Sequence, residues 1–244
     1  MIETLHLQKK FGDVIALKDV TFNAENGSIT GLLGPNGAGK STTLRSIYGL
    51  IQLNSGIAKV DGFNTAEKPL EARQRLGVLP DKRGLYPRLT AWENIQYFGR
   101  LHGINGNDLE EKIENLVNLL DMKDFVHRKT KGFSTGQQLK VNLARALVHD
   151  PPNILLDEPT NGLDVMSTRT LRDFIRRLSE EGKCVILSTH IMQEVSALCD
   201  HIVIISQGQV MADGKPETLL AQSGKSNLED AFIQIIGSGE GLMR

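Results

Sequence analysis

Short apolar runs alternate with turn residues and helical segments along most of the chain. In residues 2–22 apolar and polar positions alternate, and the turn dipeptide Asn26-Gly27 follows, a pattern typical of antiparallel strands. Residues 29–33 form a short, mainly apolar run, and three later runs are apolar without interruption: 154–156, 185–187 and 202–205. Because helical segments separate the last three of these runs, the pattern predicts a mainly parallel sheet that helices cover on both faces.

The middle of the chain has helical periodicity instead. From Thr90 to Phe125 the pattern predicts helix throughout, with apolar residues three or four positions apart. The segments that begin at Thr90 and Asn107 both resemble capping boxes, in which a side chain accepts a hydrogen bond from the backbone three residues later. One more helix is predicted from Ser134 to Leu147, with Ser134 as its N-cap.

These patterns predict one α/β domain made of three parts. At 244 residues the chain is long enough to bury a substantial core. Residues 1–80 and 150–213 are expected to form a mixed, mainly parallel sheet core with an N-terminal antiparallel β subdomain. Residues 88–149 are expected to form an inserted α-helical subdomain, and residues 214–244 a short helical tail.

The composition disfavours several classes of protein. Lys and Arg number 28 against 29 Asp and Glu, so the chain lacks the basic excess that usually accompanies nucleic-acid binding. Its only cysteines, Cys184 and Cys199, make neither a disulfide framework nor a zinc site. Residues 1–12 have no apolar signal segment, and no apolar run approaches the ~18 residues of a membrane span. We therefore expect a cytoplasmic chain that contacts a membrane only through a partner.

Residues 34–42 carry the clearest chemical signal. They fit G-x-x-x-x-G-K-S/T, the P-loop motif, and lie between a predicted strand and a predicted helix, which is the context that the motif requires. Its glycines let successive backbone amides surround a phosphate group. A glycine-rich turn would match by chance in on the order of one in a hundred chains of this length. The predicted nucleotide-binding residues are Gly34, Pro35, Asn36, Gly37, Ala38, Gly39, Lys40, Ser41 and Thr42.

Two pairs of residues have predicted chemical roles. Lys40 is expected to reach the β- and γ-phosphates of a bound nucleotide, and the Ser41 hydroxyl to hold Mg²⁺. Asp157 and Glu158 directly follow an apolar run; Asp157 is expected to hold the metal, usually through water, and Glu158 to orient or deprotonate the attacking water. Alone, the acidic pair would be explained equally well by a strand that ends in a solvated turn. The P-loop upstream favours the catalytic role.

Three further motifs make the chain resemble the ATP-binding-cassette (ABC) ATPases, which are P-loop NTPases, over essentially its whole length. Residues 133–138, Phe-Ser-Thr-Gly-Gln-Gln, are similar to the L-S-G-G-Q signature of that family, residues 161–164 to its D-loop, and residues 188–190 to its switch histidine. The resemblance implies an ATPase with ATP and Mg²⁺ as cofactors. The further site residues that it implies are Ser134, Gly136 and Gln137 at the γ-phosphate, His190 as its sensor, and Phe11 against adenine.

Each of these residues also has a simpler explanation. Ser134 begins a helix and would be an N-cap without meeting any phosphate; we expect it to do both. His190 alone would be explained by the end of a strand, but after the acidic pair a γ-phosphate sensor is favoured. Phe11 would fit core packing equally well.

Two positions depart from the family pattern. Thr135 stands where the signature has glycine, although the two phosphate-facing positions of the signature remain. Asp81 follows the predicted strand 76–79, where the family usually has glutamine. Asp81 keeps an oxygen acceptor for Mg²⁺ or water, so we include it as a metal ligand, but it loses the amide donor and adds a charge.

The resemblance also implies partners and a location. In that family two cassettes pack head to tail around ATP, so a second copy is expected to complete the site. A polytopic transmembrane permease subunit is expected as a second partner. The closing and opening of the dimer would reach it through the helical subdomain and residues 81–86. This partner places the chain at the cytoplasmic face of the cell membrane. Residues 79–87 resemble a stretch of bacterial sodium-export and multidrug-export ATPase subunits. We therefore expect export, with sodium as the leading cargo and drugs or other small molecules next.

Two other functions fit the sequence less well. A soluble ABC-type ATPase acting in translation or DNA repair usually has two cassettes or a long coiled coil, whereas this chain has one cassette and a compact insert. A regulator that binds nucleotide without hydrolysing it is disfavoured, because Glu158 and His190 are both present.

Overall fold

The computed structural model describes residues 1–82 and 84–237. Its strands are β1 (Ile2–Phe11), β2 (Val14–Ala24), β3 (Ser28–Leu33), β4 (Ser55–Val60), β5 (Phe63–Asn64), β6 (Leu76–Leu79), β7 (Asn153–Asp157), β8 (Cys184–Thr189), β9 (His201–Ser206) and β10 (Gln209–Gly214). Its helices are α1 (Lys40–Ile47), α2 (Pro69–Arg73), α3 (Ala91–Leu101), α4 (Gly106–Leu119), α5 (Thr135–Leu147), α6 (Val165–Glu180), α7 (Met192–Leu198), α8 (Pro216–Ser223) and α9 (Leu228–Gly237).

The described strands form one mixed sheet in the order β5-β4-β1-β2-β10-β9-β3-β8-β7-β6. From β9 to β6 each strand runs parallel to its neighbour. Strands β1, β2, β4 and β5 pair antiparallel, and this β subdomain joins the rest through a short parallel contact of β2 with β10. The sheet therefore has the predicted parallel core with an antiparallel N-terminal part.

Both faces of the parallel strands are covered, as their uninterrupted apolar sequences predict. In β7 the side chains of Ile154 and Leu156 pack in a cluster with helices α3 to α7, whereas Leu155 packs in a second cluster with α1 and the β subdomain. All three side chains are completely buried. Since neighbouring residues of a strand point to opposite faces, this burial requires packed structure on each side of the sheet.

Helix α3 begins where the sequence predicts and ends earlier. The Thr90 hydroxyl accepts a hydrogen bond from the Glu93 amide at 3.1 Å, and the Glu93 carboxylate accepts one from the Thr90 amide at 2.7 Å, which completes the predicted capping box. The prediction of helix throughout residues 90–125 is wrong in two places, because residues 102–105 separate α3 from α4 and α4 ends at Leu119. Gly103 adopts a left-handed φ of 82° and ends α3, and the Ile104 amide donates back to the Gly99 carbonyl as in a Schellman cap.

The capping box predicted at Asn107 is also wrong. Helix α4 begins at Gly106, and its N-cap is Asn105, whose side chain donates to the Gly103 carbonyl instead of capping the helix. Asn107 therefore lies within the first turn. The amide of Glu110, its expected partner, is already bonded inside the helix.

The last two described helices lie beside the sheet. Helix α8 begins at Pro216, and the Asn227 side chain accepts a hydrogen bond from the Asp230 amide at 2.8 Å where α9 begins. Helix α9 packs against α7 and β10. Residues 238–244 of the predicted tail lie outside the described residues. In the part of the chain that the structure describes, none of the helices combines the length and apolarity that crossing a bilayer requires.

Candidate functional site

The P-loop connects β3 to α1 and depends on its glycines. Gly37 and Gly39 have φ values of 80° and 111°, in the left-handed region that favours glycine. Gly34 has no such φ, but a Cβ atom there would lie 2.2 Å from the Ile205 carbonyl oxygen. The tight loop ends where α1 begins, at Lys40. It therefore directs the positive end of the α1 dipole into the space that the loop encloses.

A cleft of about 370 Å³ lies along this loop. It is lined by residues 14–16 and 36–42 and by Asp81, Glu158, Asn161 and His190. The last four residues follow β6, β7 and β8, which are parallel to one another and to β3. Because the carboxyl ends of parallel strands meet at one edge of the sheet, residues that are far apart in the sequence share this cleft.

Lys40 is held at the centre of the site. Its side chain is 6% exposed, and Nζ donates to the carbonyl oxygens of Gly34 at 2.8 Å and Pro35 at 3.2 Å. The same Nζ atom lies 3.5 Å from Oε1 of Glu158. The P-loop carbonyls thus fix the ammonium group where it faces the cleft.

Ser41 and Asp157 bring two oxygen ligands together. The Asp157 Oδ1 atom accepts hydrogen bonds from the Ser188 hydroxyl at 2.5 Å and from the Ser41 hydroxyl at 3.1 Å. Hydroxyl and carboxylate oxygens are the ligands that Mg²⁺ prefers, and Mg²⁺ usually completes its shell with phosphate oxygens and water. Among the described residues no group of three or more His, Cys, Asp or Glu side chains could hold a metal ion. A hydroxyl and a carboxylate supply only part of such a shell, so the pair fits Mg²⁺ that arrives with a nucleotide.

Glu158 has a strained backbone that aims its side chain into the site. Its φ is 47°, in the left-handed region that costs a residue with a side chain about 1–3 kcal/mol. Its amide donates to the carbonyl and hydroxyl oxygens of Ser188, which hold this conformation. Its carboxylate oxygens lie 3.0 and 3.1 Å from Nδ1 of His190. Glu158, only 8% exposed, therefore sits between Lys40 and His190.

The predicted signature residues do not line the cleft. Ser134 is the N-cap of α5, as predicted, and with Gln137 it forms a complete capping box: the Ser134 hydroxyl accepts from the Gln137 amide, and the Gln137 side chain accepts from the Ser134 amide. Gly136 borders a separate depression together with Met166 and Ser167. Within the described residues of this one chain, the signature and the P-loop are not brought together.

The apolar side of the cleft differs from the prediction. Phe11 ends β1 and is 47% exposed with Lys9 Nζ 4.8 Å from its ring centroid, so the core-packing explanation is wrong. Phe11 pairs with Val14 in the β1–β2 hairpin, and Val14 and Ile15 are the residues that line the cleft, although they are 68% and 53% exposed. Sequence reasoning missed both, whereas it placed Asn161 in the D-loop without naming it as a site residue. Two apolar residues directly after the turn Gly12-Asp13 are the signal that points to them.

A second cavity, of about 660 Å³, lies beside β6 and is bordered by helices α3 and α5; we call it the lateral groove. Its charged or titratable lining residues are Tyr48, Arg73, Lys82, Arg145, His102 and His149, and no Asp or Glu of the described chain lines it. The loop after β6 borders both cavities, with Asp81 in the cleft and Lys82 and Gly84 in the groove. A displacement of this loop would therefore change the shape of both the cleft and the lateral groove.

Two side chains, one in α5 and one just after it, contact the opposite side of the lateral groove. Arg145 donates to the Gly84 carbonyl at 2.7 Å, and its guanidinium carbon lies 3.8 Å from the Phe98 ring centroid. The rings of His102 and His149 are stacked with centroids 3.6 Å apart. Burial, followed by the charge of a protonated His102, lowers the pKa of His149 to about 4.

Known proteins resemble this chain both in sequence and in structure. The sequence profile of the ABC transporter family matches residues 17–161. The chain is 43% identical over 244 residues to the ABC transporter ATP-binding protein NatA of Bacillus subtilis (strain 168), which covers 98% of this chain and 99% of that protein. A structure of an ATP binding subunit of an ABC transporter superposes with a TM-score of 0.89 and 28% identity, over 97% of this chain and 99% of that one. The dimeric structure of a post-hydrolysis state of the ATP-binding cassette MJ0796 bound to ADP and Pi superposes with a TM-score of 0.80 and 29% identity, over 88% and 98%. The predicted fold class, an α/β P-loop NTPase of the ABC ATPase type, is confirmed.

Proposed function

This chain belongs to the ABC transporter family and is an ATP-binding and ATP-hydrolysing subunit, and we propose that it powers export from the cytoplasmic face of the cell membrane. The observation that carries the catalytic part of the proposal is the position of Glu158, whose carboxylate lies between Lys40 and His190 in the P-loop cleft. A base, a cation and a second hydrogen-bonding group around one space suit the transfer of a phosphoryl group to water.

ATP is proposed to bind with its phosphates along residues 34–42. The Lys40 ammonium, which the P-loop carbonyls already fix, would bind the β- and γ-phosphates. Ser41 and Asp157 would hold Mg²⁺, which neutralises phosphate charge when it is bound, and Asp81 at the edge of the cleft would reach it directly or through water. Val14 and Ile15, together with Phe11, would form the apolar surface for adenine.

Glu158 is the proposed general base for hydrolysis. It would take a proton from the water molecule that attacks the γ-phosphorus, while the bond from phosphorus to the β-phosphate oxygen breaks and ADP leaves. The Nδ1 atom of His190 holds the Glu158 carboxylate in position, and the other ring nitrogen remains to bind the γ-phosphate. His190 would thus connect the phosphate with the base.

A second copy of the chain is proposed to complete each site. Ser134, Gly136 and Gln137 lie apart from the cleft of their own chain. Ser134 and Gly136 stand at the N-terminus of α5, where the helix dipole favours an anion, so in a head-to-tail dimer they would meet the γ-phosphate of the other chain. ATP would then hold the two chains together until hydrolysis releases them.

A polytopic permease subunit is the proposed membrane partner, and the lateral groove is its proposed docking place. The groove is lined by residues of β6, of helices α3 and α5 and of the loop after β6. The loop after β6 borders both the groove and the ATP cleft, so it would transmit closure of the dimer to the permease. Asp81 in this loop would take part in the coupling of the ATP cleft to the permease. Its side chain carries a charge, whereas other family members have an amide at this position.

Sodium is the proposed cargo, with drugs or other small molecules as the second candidate. The support is the similarity of residues 79–87 to the corresponding stretch of sodium-export and multidrug-export subunits. The soluble alternative in translation or DNA repair has no comparable support, because the family match and the 43% identical relative are both transporter ATP-binding proteins.

Co-purification tests the transporter assignment. The chain would be tagged in its own cells and purified from detergent-solubilised membranes, and the polypeptides that accompany it would be identified. We expect one stoichiometric polytopic membrane protein, whose own sequence would narrow the cargo. Recovery from the soluble fraction alone, with ribosomes or DNA-repair proteins, would overturn the proposal.

A further inference from the structure

We propose that Arg172 and Glu194 are positioning residues: by joining helices α6 and α7 they hold His190 in place against Glu158. The inference rests on the roles of Glu158 and His190 proposed above. Neither Arg172 nor Glu194 lines the ATP cleft, so their effect on hydrolysis would be exerted through His190.

The contact between the two side chains is bidentate and mostly buried. Arg172 Nη2 lies 2.7 Å from Oε1 of Glu194, and Nε lies 3.4 Å from Oε2. The Glu194 side chain is 3% exposed and that of Arg172 is 27% exposed. A planar guanidinium that binds both oxygens of a carboxylate fixes distance and orientation together, which a single exposed ion pair does not. Arg176 strengthens the same junction by donating to the Ala197 carbonyl in α7.

Glu194 is connected to His190 through a short, hydrogen-bonded piece of backbone. The Glu194 amide donates to the Ile191 carbonyl at 3.1 Å in the first turn of α7. The Ile191 amide donates to the Thr189 hydroxyl at 3.0 Å, at the end of β8. His190 is thus fixed from the sheet on one side and from α7 on the other.

His190 depends on this backbone because its own ring is poorly packed. The side chain is 42% exposed, in contrast to the 10% of Glu158, which it contacts. A shift of α7 along α6 would therefore move the ring and leave the strained Glu158 backbone where Ser188 holds it. A displacement of about 1 Å at a catalytic group can lower a rate by as much as a hundredfold.

The same pair joins His190 to the D-loop. Helix α6 begins after Asp164, the last residue of that loop and the N-cap of the helix, and Asn161 of the loop lines the ATP cleft. The D-loop therefore leads into α6 and the His190 segment leads into α7, and Arg172 and Glu194 connect these two helices. Movement of either segment would be passed to the other.

A purely structural ion pair would also be costly to break, so the test separates stability from position. Arg172→Met alone leaves a buried carboxylate without its partner and is expected to destabilise the fold. The double variant Arg172→Met/Glu194→Leu removes both charges, so its melting temperature is expected to recover most of the loss, while the directional contact stays absent. Arg177→Met, at an exposed position of α6, is the matched control.

The experiment measures ATP hydrolysis by the full chain with Mg²⁺, together with melting temperature and hydrogen exchange of residues 188–198. For the double variant we expect kcat to fall about tenfold or more with KM for ATP nearly unchanged, and exchange in residues 188–198 to accelerate. The control should behave as the wild type in all three measurements.

Two results would overturn the inference, and a third separates it from the proposed function. If the double variant has the wild-type kcat as well as a melting temperature higher than that of Arg172→Met, the pair is only structural. If exchange in residues 188–198 is unchanged, His190 is not held by the pair. If Glu158→Gln hydrolyses ATP as fast as the wild type, the proposed base itself is wrong, whatever the double variant does.

Discussion

The ammonium of Lys40 lies 3.5 Å from the carboxylate of Glu158, and both side chains are at least nine-tenths buried. Lys40 begins α1 directly after the loop that follows β3, and Glu158 follows β7, so the contact exists only because the sheet brings those two strand ends together. The pair defines where a γ-phosphate would lie, between the cation that binds it and the base that activates water.

Replacing the base should stop hydrolysis without stopping ATP binding. For Glu158→Gln we expect kcat to fall by about 10²–10⁴-fold, because the amide cannot accept a proton from water, while ATP and Mg²⁺ produce a persistent dimer. Phosphate release and size-exclusion chromatography check the two parts. Glu180→Gln, at the exposed end of α6, is the control. Hydrolysis at the wild-type rate in Glu158→Gln would show that another group is the base.

The composite site predicts complementation between inactive chains. Lys40→Ala and Ser134→Ala should each lose hydrolysis, but a mixed dimer has one site in which both residues are intact. After random mixing we expect about a quarter of the wild-type activity to return, since half of the dimers carry one intact site.

A control is needed because Ser134 is also a helix cap. Loss of such a cap costs about 1 kcal/mol of stability. Thr90→Ala removes the same kind of capping box from α3 and should keep full activity. If the mixture of the Lys40 and Ser134 variants stays inactive while both chains remain folded, the prediction that one intact composite site hydrolyses ATP is wrong.

The exposed apolar pair at the cleft should contribute to binding of the base. For the double variant Val14→Ser/Ile15→Ser we expect the Kd for ATP to rise about fivefold or more, because about 1 kcal/mol of apolar contact is lost, while the affinity for inorganic triphosphate stays unchanged. Titration calorimetry with both ligands makes the measurement. Val165→Ser, at an 83% exposed apolar residue outside the cleft, should leave both affinities unchanged.

The stacked histidines of the lateral groove predict a loss of stability in mild acid. The pKa of His149 is lowered from 6.5 to about 4, so between these values the unfolded chain binds a proton that the folded chain does not. The contribution of His149 to the free energy of unfolding is therefore complete above pH 6.5, and it declines as the pH falls towards 4. After allowance for partial exposure, we expect a loss of about 2 kcal/mol.

Urea unfolding at several pH values measures this effect. His149→Phe keeps a ring in the stack and should flatten the pH dependence, whereas His6→Gln, at a largely exposed side chain, should retain it. An unchanged pH dependence in His149→Phe would assign the acid sensitivity to other groups.

Several features of the site were predictable because short stretches encode them. The spacing of Gly34, Gly39 and Lys40 predicts a phosphate loop, since glycine conformations and the start of a helix are local properties. Ser134 and Gln137 predict a capping box for the same reason, and the structure contains it. The box at Asn107 failed because Gly103 ended the preceding helix early and Asn105 became the N-cap of the next.

Other features were decided only by the tertiary structure. The sequence determined the α/β alternation, the P-loop and the acidic pair, because each depends on residues a few positions apart. It did not determine that Glu158 would adopt a left-handed φ, that Val14 and Ile15 would remain exposed at the cleft, or that Arg172 would meet Glu194. Those contacts depend on the strand order β3-β8-β7-β6 and on how α6 and α7 pack, which are long-range pairings that no local pattern specifies.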